Sequence, residues 1–376
     1  MQLHLGPQHP STHGVLHVLL SLEGEWVQAA EVEIGYMHRC FEKHARFLPF
    51  EQIVPYVDRL DYVAPLLVEH AYALAVEKAL GWEGKLPPRV EYLRVLAVEM
   101  NRIASHLLAI GTYALDLGAV TGFMWAFRDR EYLVQLLERW SGARLLYHLI
   151  WIGGIAFDLP VGFLEELQSF LNYFSRSLQE LEALLLENAI FRQRTAGVGV
   201  IPLEVALAYG ASGPVLRGSG LAWDLRRVRP YSVYPELEFE VPVGKGEVGI
   251  LGDCWDRTYV RLEEIKESMK ILHQCIERLE HKHLGGEGFN PRALGGKRLR
   301  VPQSIELYVA VEGARGEIGF VLETEKNKDI PRRLKCRSPS LAHLSMLPEL
   351  ARQGMWLADF IALLGSLDTV MCEVDR

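Results

Sequence analysis

The apolar positions change their period along the chain. Between residues 15 and 34 they alternate: Val15, His17 and Leu19 on one side, Leu16, Val18 and Leu20 on the other. Glu23-Gly24 then supplies a turn and Val27 to Ile34 returns, the pattern of a β-hairpin. Beyond it the spacing lengthens to 3.6 and helices dominate until about residue 282. The clearest follows Pro87-Pro88, with Leu93, Leu96, Ala97, Met100, Ile103, Ala104, Leu107, Leu108 and Leu115 recurring at three and four residues; continued to Asp116 it would run roughly 40 Å at 1.5 Å per residue. Further helices are expected over approximately Pro65 to Leu80, Arg128 to Ile150, Gly162 to Glu187 and Trp255 to Glu280. The last is amphipathic, with Tyr259, Leu262, Ile265, Met269, Leu272, Cys275, Ile276 and Leu279 on one stripe.

Ser304 to Val311 and Ile318 to Glu323 flank Glu312-Gly313-Ala314-Arg315-Gly316, a second hairpin, and a helix from about Pro348 to Leu364 closes the pattern. The sum predicts an α+β fold, a long central helical bundle with a smaller β part built from N-terminal and C-terminal hairpins, rather than a doubly wound sheet. With no linker and no internal repeat, one domain over residues 1–376 is expected. It would comprise a β extension (1–50), a helical bundle (51–285), a second β part (300–340) and a C-terminal helix and tail (345–376).

Composition narrows the function. With 376 residues, 49% apolar and 23% charged, the chain can bury a large core. A net charge of -8 offers no basic footprint for nucleic acid. Met1 to Leu22 lacks Asp, Glu, Lys and Arg, yet it has no basic start or apolar centre and carries four histidines and two prolines, so it does not read as a targeting segment. The longest other uncharged stretches, Ile103 to Leu115 and Leu145 to Phe157, have 13 residues each, short of the roughly 20 of a spanning helix. Attachment to a membrane is therefore expected only through partners. Cys40, Cys254, Cys275, Cys336 and Cys372 stand far apart with no C-x-x-C, which fits a reducing compartment and argues against an iron-sulfur cluster held by this chain alone.

Several polar patches can carry chemistry. Gly6-Pro7-Gln8-His9-Pro10-Ser11-Thr12-His13-Gly14 joins helix breakers to two imidazoles; Pro10 and Gly14 exclude a helix, so the His9/His13 spacing makes no metal face, and a tight loop with surface histidines is the plain alternative. In Pro55-Tyr56-Val57-Asp58-Arg59-Leu60-Asp61-Tyr62-Val63-Ala64-Pro65, two phenols and three charges precede a helix, and Asp61 can be read simply as an N-cap. Asp116 ends the most apolar helix, where an acid needs a partner or a shifted pKa. Leu216-Arg217-Gly218-Ser219-Gly220 lacks the Walker spacing and reads as a turn. By composition alone Asp368 to Arg376 is a solvated tail.

Together these stretches resemble one family. GPQHPSTHG, then GYMHRCFEK (Gly35 to Lys43), PYVDRLDY, ALDLGA, LRGSG, GDCWDR, EGARGE and the terminal EVDR stand in the order seen in the 49 kDa, or D-type, member of complex I, and span essentially the whole chain. That family is related to the large subunit of nickel-iron hydrogenases, which place two C-x-x-C pairs around the metal. Here those positions fall at Asp61, Ala64, Val370 and Glu373, none of them cysteine, with Cys372 out of step; a nickel-iron site is not expected.

What the resemblance implies instead is a quinone headgroup in the vacated cavity of a proton-pumping NADH:quinone oxidoreductase. The Tyr and His that contact the quinone carbonyls in the family match Tyr62 and His13, and the Asp that pairs with that His matches Asp116. A phenol and an imidazole suit a reduction that takes two electrons and two protons. An ionised Asp beside His13 would keep the imidazole protonated. No cofactor or metal is expected on this chain. The resemblance places a [4Fe-4S] cluster on a small B-type neighbour, with FMN and NADH on distant subunits. It also implies a C-type subunit and a quinone-channel membrane subunit as further partners, and a peripheral position on the cytoplasmic face of a bacterial inner membrane, or the matrix side in a mitochondrion. Cys40 stands where a Gly is common, the loop Gly244 to Leu251 looks longer than usual, and an N-terminal extension common in relatives is not seen before the first motif. The rival readings are a non-catalytic assembly scaffold and a membrane-bound hydrogenase large subunit.

Overall fold

The computed structural model describes residues 1–9, 14–280, 284 and 298–376. The expected α+β architecture is observed, with the β part divided among separate sheets. β1 (Gln2–Leu5), β2 (His17–Glu23) and β3 (Trp26–Glu33) form an antiparallel sheet in which the β2–β3 hairpin matches the alternation, and Leu16, Val18, Leu20 and Val27 are its buried side. The short strand β1 has too few alternating positions to announce itself.

α1 (Phe50–Val57) leads through a loop to α2 (Pro65–Leu80), and α3 (Pro88–Asp116) starts with Pro at its first turn. α3 is buried along nearly its whole length, packed between α4 (Val120–Ser141) and α6 (Cys254–Glu280). The helix expected over Arg128 to Ile150 is displaced: α4 begins eight residues earlier and ends at Ser141, whose Oγ accepts the Ala143 N–H. The chain then forms the small hairpin β4 (Ile150–Trp151) and β5 (Gly154–Ile155) before α5 (Phe163–Leu185).

β6 (Ile305–Glu312) and β7 (Glu317–Thr324) form the second hairpin where the sequence puts it, and β8 (Pro331–Arg337) adds a third antiparallel strand. This sheet packs on α2. The closing helix is broken in two. Helical turns at Leu347–Arg352 end at Gly354 (φ 74°), where a Cβ would lie 2.6 Å from Trp26 Nε1. Met355–Trp356 then pairs with β3 as its edge strand, joining the C-terminal region to the N-terminal sheet, before α7 (Leu357–Ser366) and α8 (Met371–Asp375). Among the described residues no helix is long and apolar enough to cross a membrane.

The centre of the bundle is ionic. Arg217, in a short helix rather than the expected turn, bonds Glu264 of α6 (Nε to Oε1, 2.7 Å) and Glu312 of β6 (Nη1 to Oε1, 2.7 Å). Arg102 of α3 bonds Glu99 and donates to the carbonyls of Glu312 (2.7 Å) and Gly313 (3.1 Å). Arg226 bridges Asp224 and Glu99, and His106 Nε2 meets Glu264 at 2.9 Å. All are buried. Each charge has lost its water, so removing one partner strands another. Arg217→Met is expected to lower the unfolding free energy of the chain by about 3–5 kcal/mol, measurable by urea denaturation; a loss under about 1 kcal/mol would show that Glu264 and Glu312 do not depend on it.

Candidate functional site

The loop between α1 and α2 carries Tyr62, and Asp61 fixes its shape. Asp61 Oδ1 accepts the N–H groups of Val63 (3.2 Å) and Ala64 (3.1 Å), shaping the loop rather than capping α2, whose N-cap is Ala64, while Oδ2 receives Arg315 Nη1 at 2.6 Å. Arg315 lies in the tight turn between β6 and β7. Gly316 there has φ 136°, and a Cβ on it would fall 2.5 Å from Ser212 Oγ and 2.7 Å from the Ser212 carbonyl carbon, so the turn packs against that backbone only as glycine. Nη2 of Arg315 reaches Asp368 Oδ1 at 3.4 Å, and Glu373 Oε1 accepts the Ser340 N–H at 3.1 Å.

Three buried acids, Asp61, Asp368 and Glu373, thus gather near one guanidinium, with Arg261 behind Asp368. Several of their buried polar atoms have no hydrogen-bond partner in the protein: Arg315 Nε, Asp368 Oδ2, Glu373 Oε2, and Nε and Nη2 of Arg261. Such a concentration of unmet polar groups has room to bond a water, an ion or a ligand. Burial disfavours the Arg315 charge, but Asp368, Asp61 and Glu373 outweigh it and hold the guanidinium protonated. Burial, reinforced by Asp61 and only partly opposed by Arg315, pushes the Glu373 carboxyl up to about 7. Tyr62, half-buried, borders the same cluster; burial first and the neighbouring Cys372 next push its phenol up, so it keeps its proton at neutral pH.

Asp116 ends α3 against α7, where a Cβ on Gly365 would lie 3.0 Å from Asp116 Oδ2. His13 lies outside the described residues. Its neighbour Gly14 sits beside Met371, 3.4 Å from an added Cβ to the Met371 Cγ. Tyr62, Asp116 and Gly14 therefore all border the one segment 365–373. The stretch from Asp368 to Arg376 is no solvated tail: Glu373, Val374 and Asp375 are buried. The Asp375 carboxylate accepts the N–H groups of Gly35 (2.8 Å) and Met37 (2.7 Å), fastening the GYMHRCFEK stretch to the C-terminal helix. Within that stretch Cys40 takes φ 57°, a left-handed conformation that a glycine would adopt without strain.

Of the four positions that the resemblance aligns with hydrogenase thiolates, Asp61 lies near enough to Glu373 for its charge to raise that carboxyl. Asp61 is engaged by Arg315, and Ala64 and Val370 offer no donor atoms, so the set does not fit a thiolate-bound metal. No group of three or more His, Cys, Asp or Glu able to hold a metal ion occurs among the described residues. Arg315 and Asp368 are the members that residue patterns alone do not single out. Their signal is indirect, an arginine inside a glycine-bounded turn and an acid in the terminal motif.

Known proteins resemble this chain along its whole length. The family described as respiratory-chain NADH dehydrogenase, 49 Kd subunit, matches residues 116–293 and 289–376. The first D-type member of the NADH-quinone oxidoreductase of Cytophaga hutchinsonii is 52% identical over 374 residues, covering 100% of this chain and 95% of that protein. The D-type member of the NADH-quinone oxidoreductase of Amoebophilus asiaticus is 51% identical over 374 residues, and that of Chlorobium phaeovibrioides 51% over 376, each covering 100% of this chain and 92% of the relative.

The Glu373 carboxyl, raised from 4.5 to about 7, binds its proton more tightly folded than unfolded. Its contribution is complete below about pH 4.5 and is lost as the pH rises through about 7, a change of about 3 kcal/mol at most. Glu373→Gln is expected to flatten the fall in stability between these limits. An unchanged slope in denaturation curves across that range would remove Glu373 as the proton-holding acid.

Proposed function

The chain belongs to the family of the 49 kDa subunit of respiratory-chain NADH dehydrogenase, a subunit of NADH-quinone oxidoreductase, and we propose that it holds the quinone headgroup between Tyr62 and His13. Tyr62 donates its O–H to one carbonyl of the ring and the His13 imidazole donates to the other. Quinone plus two electrons and two protons gives quinol. As charge grows on the two oxygens, each donor can yield its proton, and the Asp116 carboxylate favours the protonated imidazole. The observation that carries this reading is the setting of Tyr62: a half-buried phenol, held protonated, at the edge of an acid cluster in which Glu373 retains a proton near neutral pH. A donor of that kind suits a substrate that must be both bound and protonated.

The electrons come from outside this chain. They arrive from a [4Fe-4S] cluster on the small B-type neighbour, and FMN and NADH react on distant subunits. The C-type subunit and the quinone-channel membrane subunit complete the surroundings at the cytoplasmic face of the membrane. The chain itself contributes binding, orientation and protons.

In the assembled complex, a photoactivatable quinone analogue is expected to label the segments around Tyr62 and residues 365–373, with protection by quinone-site inhibitors. Labelling elsewhere, indifferent to inhibitor, would favour a scaffold without a quinone site. Tyr62→Phe is expected to lower quinone reductase activity by about tenfold or more while the complex still assembles; activity within about twofold of the native enzyme would show that the phenol is not a required donor. Asp116→Asn removes the charge that favours the imidazolium, so the alkaline limb of the activity profile is expected to move to lower pH, and a profile that stays in place would count against the pairing with His13.

A further inference from the structure

A second set of buried acids lies away from the Arg315 cluster. Asp58, at the end of α1, is 0% exposed, and Glu69, in the second turn of α2, is 1% exposed. Glu69 Oε2 accepts the N–H groups of Leu149 (3.0 Å) and Ile150 (2.7 Å). Its other oxygen, Oε1, and both Asp58 oxygens are buried with no hydrogen-bond partner in the protein. One short segment brings the two groups together, His148 meeting Asp58 while the next two amides bond Glu69, and the Asp58 carboxyl acts on that of Glu69. Two acceptors in contact away from water repel unless a proton lies between them.

The surroundings supply one outlet. His148 Nε2 stands 2.6 Å from Asp58 Oδ2, and its side chain is 33% exposed, so one imidazole touches both the buried pair and the outside. It is carried on a segment with two non-glycine residues in the left-handed region, Leu146 (φ 58°) and His148 (φ 48°), and the His148 carbonyl accepts the Trp151 indole N–H at 2.7 Å. Strained backbone persists where its surroundings hold it, often at functional positions. The other groups facing the pair are few. Arg59 Nη1 donates to the Pro55 carbonyl and lies 3.4 Å from His148 Nε2, the same nitrogen that meets Asp58, so its charge stands beside the outlet. On the Glu69 side stands the buried Tyr147 phenol, pushed up to about 12 by burial, with Arg130 and Arg144 beyond it. No guanidinium or ammonium forms an ion pair with either carboxyl group among the described residues.

We propose that Asp58 and Glu69 form a one-proton binding site, distinct from the Tyr62 donor, that fills and empties through His148. A proton arriving on His148 Nε2 passes to Asp58 and comes to rest between Asp58 and Glu69 Oε1; no electron moves and no bond other than O–H or N–H forms or breaks. Burial, then the neighbouring Asp58 charge, hold the Glu69 carboxyl well above its ordinary range, in keeping with an occupied site at neutral pH. The site is a store whose exchange depends on a single side chain, so its occupancy and its rate of filling are separable.

Infrared spectroscopy of the full chain tests both. At pH 8 a protonated-carboxyl C=O band is expected that is retained in Tyr62→Phe and Glu373→Gln but lost in Glu69→Gln. Asp58→Asn is expected to lose the shared-proton band in the same way, and serves if Glu69→Gln does not fold. On transfer to heavy water the band should shift promptly in the native chain and about tenfold or more slowly in His148→Phe. A band absent from Glu373→Gln at pH 8, where the Asp58 and Glu69 side chains are native, would overturn the site without any variant at the pair. A band unaffected by Glu69→Gln and Asp58→Asn would overturn it equally, and an unchanged exchange rate in His148→Phe would overturn the assigned outlet.

Discussion

The ion pair between Arg315 and Asp61 joins the two parts of the molecule that the site needs. Asp61 shapes the loop bearing Tyr62, and Arg315 comes from the turn of a hairpin more than two hundred residues later in the chain. The position of that turn is set by Arg102, which holds the carbonyls of Glu312 and Gly313, and by Arg217, which holds the Glu312 side chain. Loop geometry near Tyr62 therefore depends on charges deep in the bundle as well as on the buried Leu60, Val63 and Ala64 around it.

Such an arrangement has an electrostatic cost. Desolvating an ion costs several kcal/mol even after relaxation, and the bundle offsets that cost by closing each arginine onto carboxylates or carbonyls. Near Tyr62 the closure is incomplete: more acids converge than the cations touching them can satisfy, and several polar atoms stay without partners in the protein. Stability and reactivity are thus distributed between two kinds of buried charge, matched in the interior and mismatched at the edge.

Much of this is legible in the residues. The long helix after Pro87-Pro88, the amphipathic stripe of 255–280 and both hairpins follow from local periodicity, which reports burial directly. What periodicity cannot report is pairing across the chain. β1 and the Met355–Trp356 strand have too few positions to alternate, and the helix expected through Pro348 to Leu364 breaks where Gly354 meets Trp26, a contact made only after folding. The charged C-terminal end looks solvated by composition for the same reason: Asp375 is buried because it accepts from the amides of Gly35 and Met37, far away in the sequence. The positions of Tyr62 and Asp116 come from motif resemblance, since a phenol in a charged loop and an acid at a helix end are unexceptional in isolation.

The junction of Trp26 and Trp356 has an optical consequence. The two indoles meet edge to face, 5.4 Å between ring centres and 85° between planes, at the seam where the C-terminal region joins the N-terminal sheet. Aromatic rings this close couple their electronic transitions, and the pair's contribution to the near-ultraviolet dichroism is lost when they part. The chain thereby carries its own chromophore pair for monitoring that seam, remote in kind from any proton or electron event.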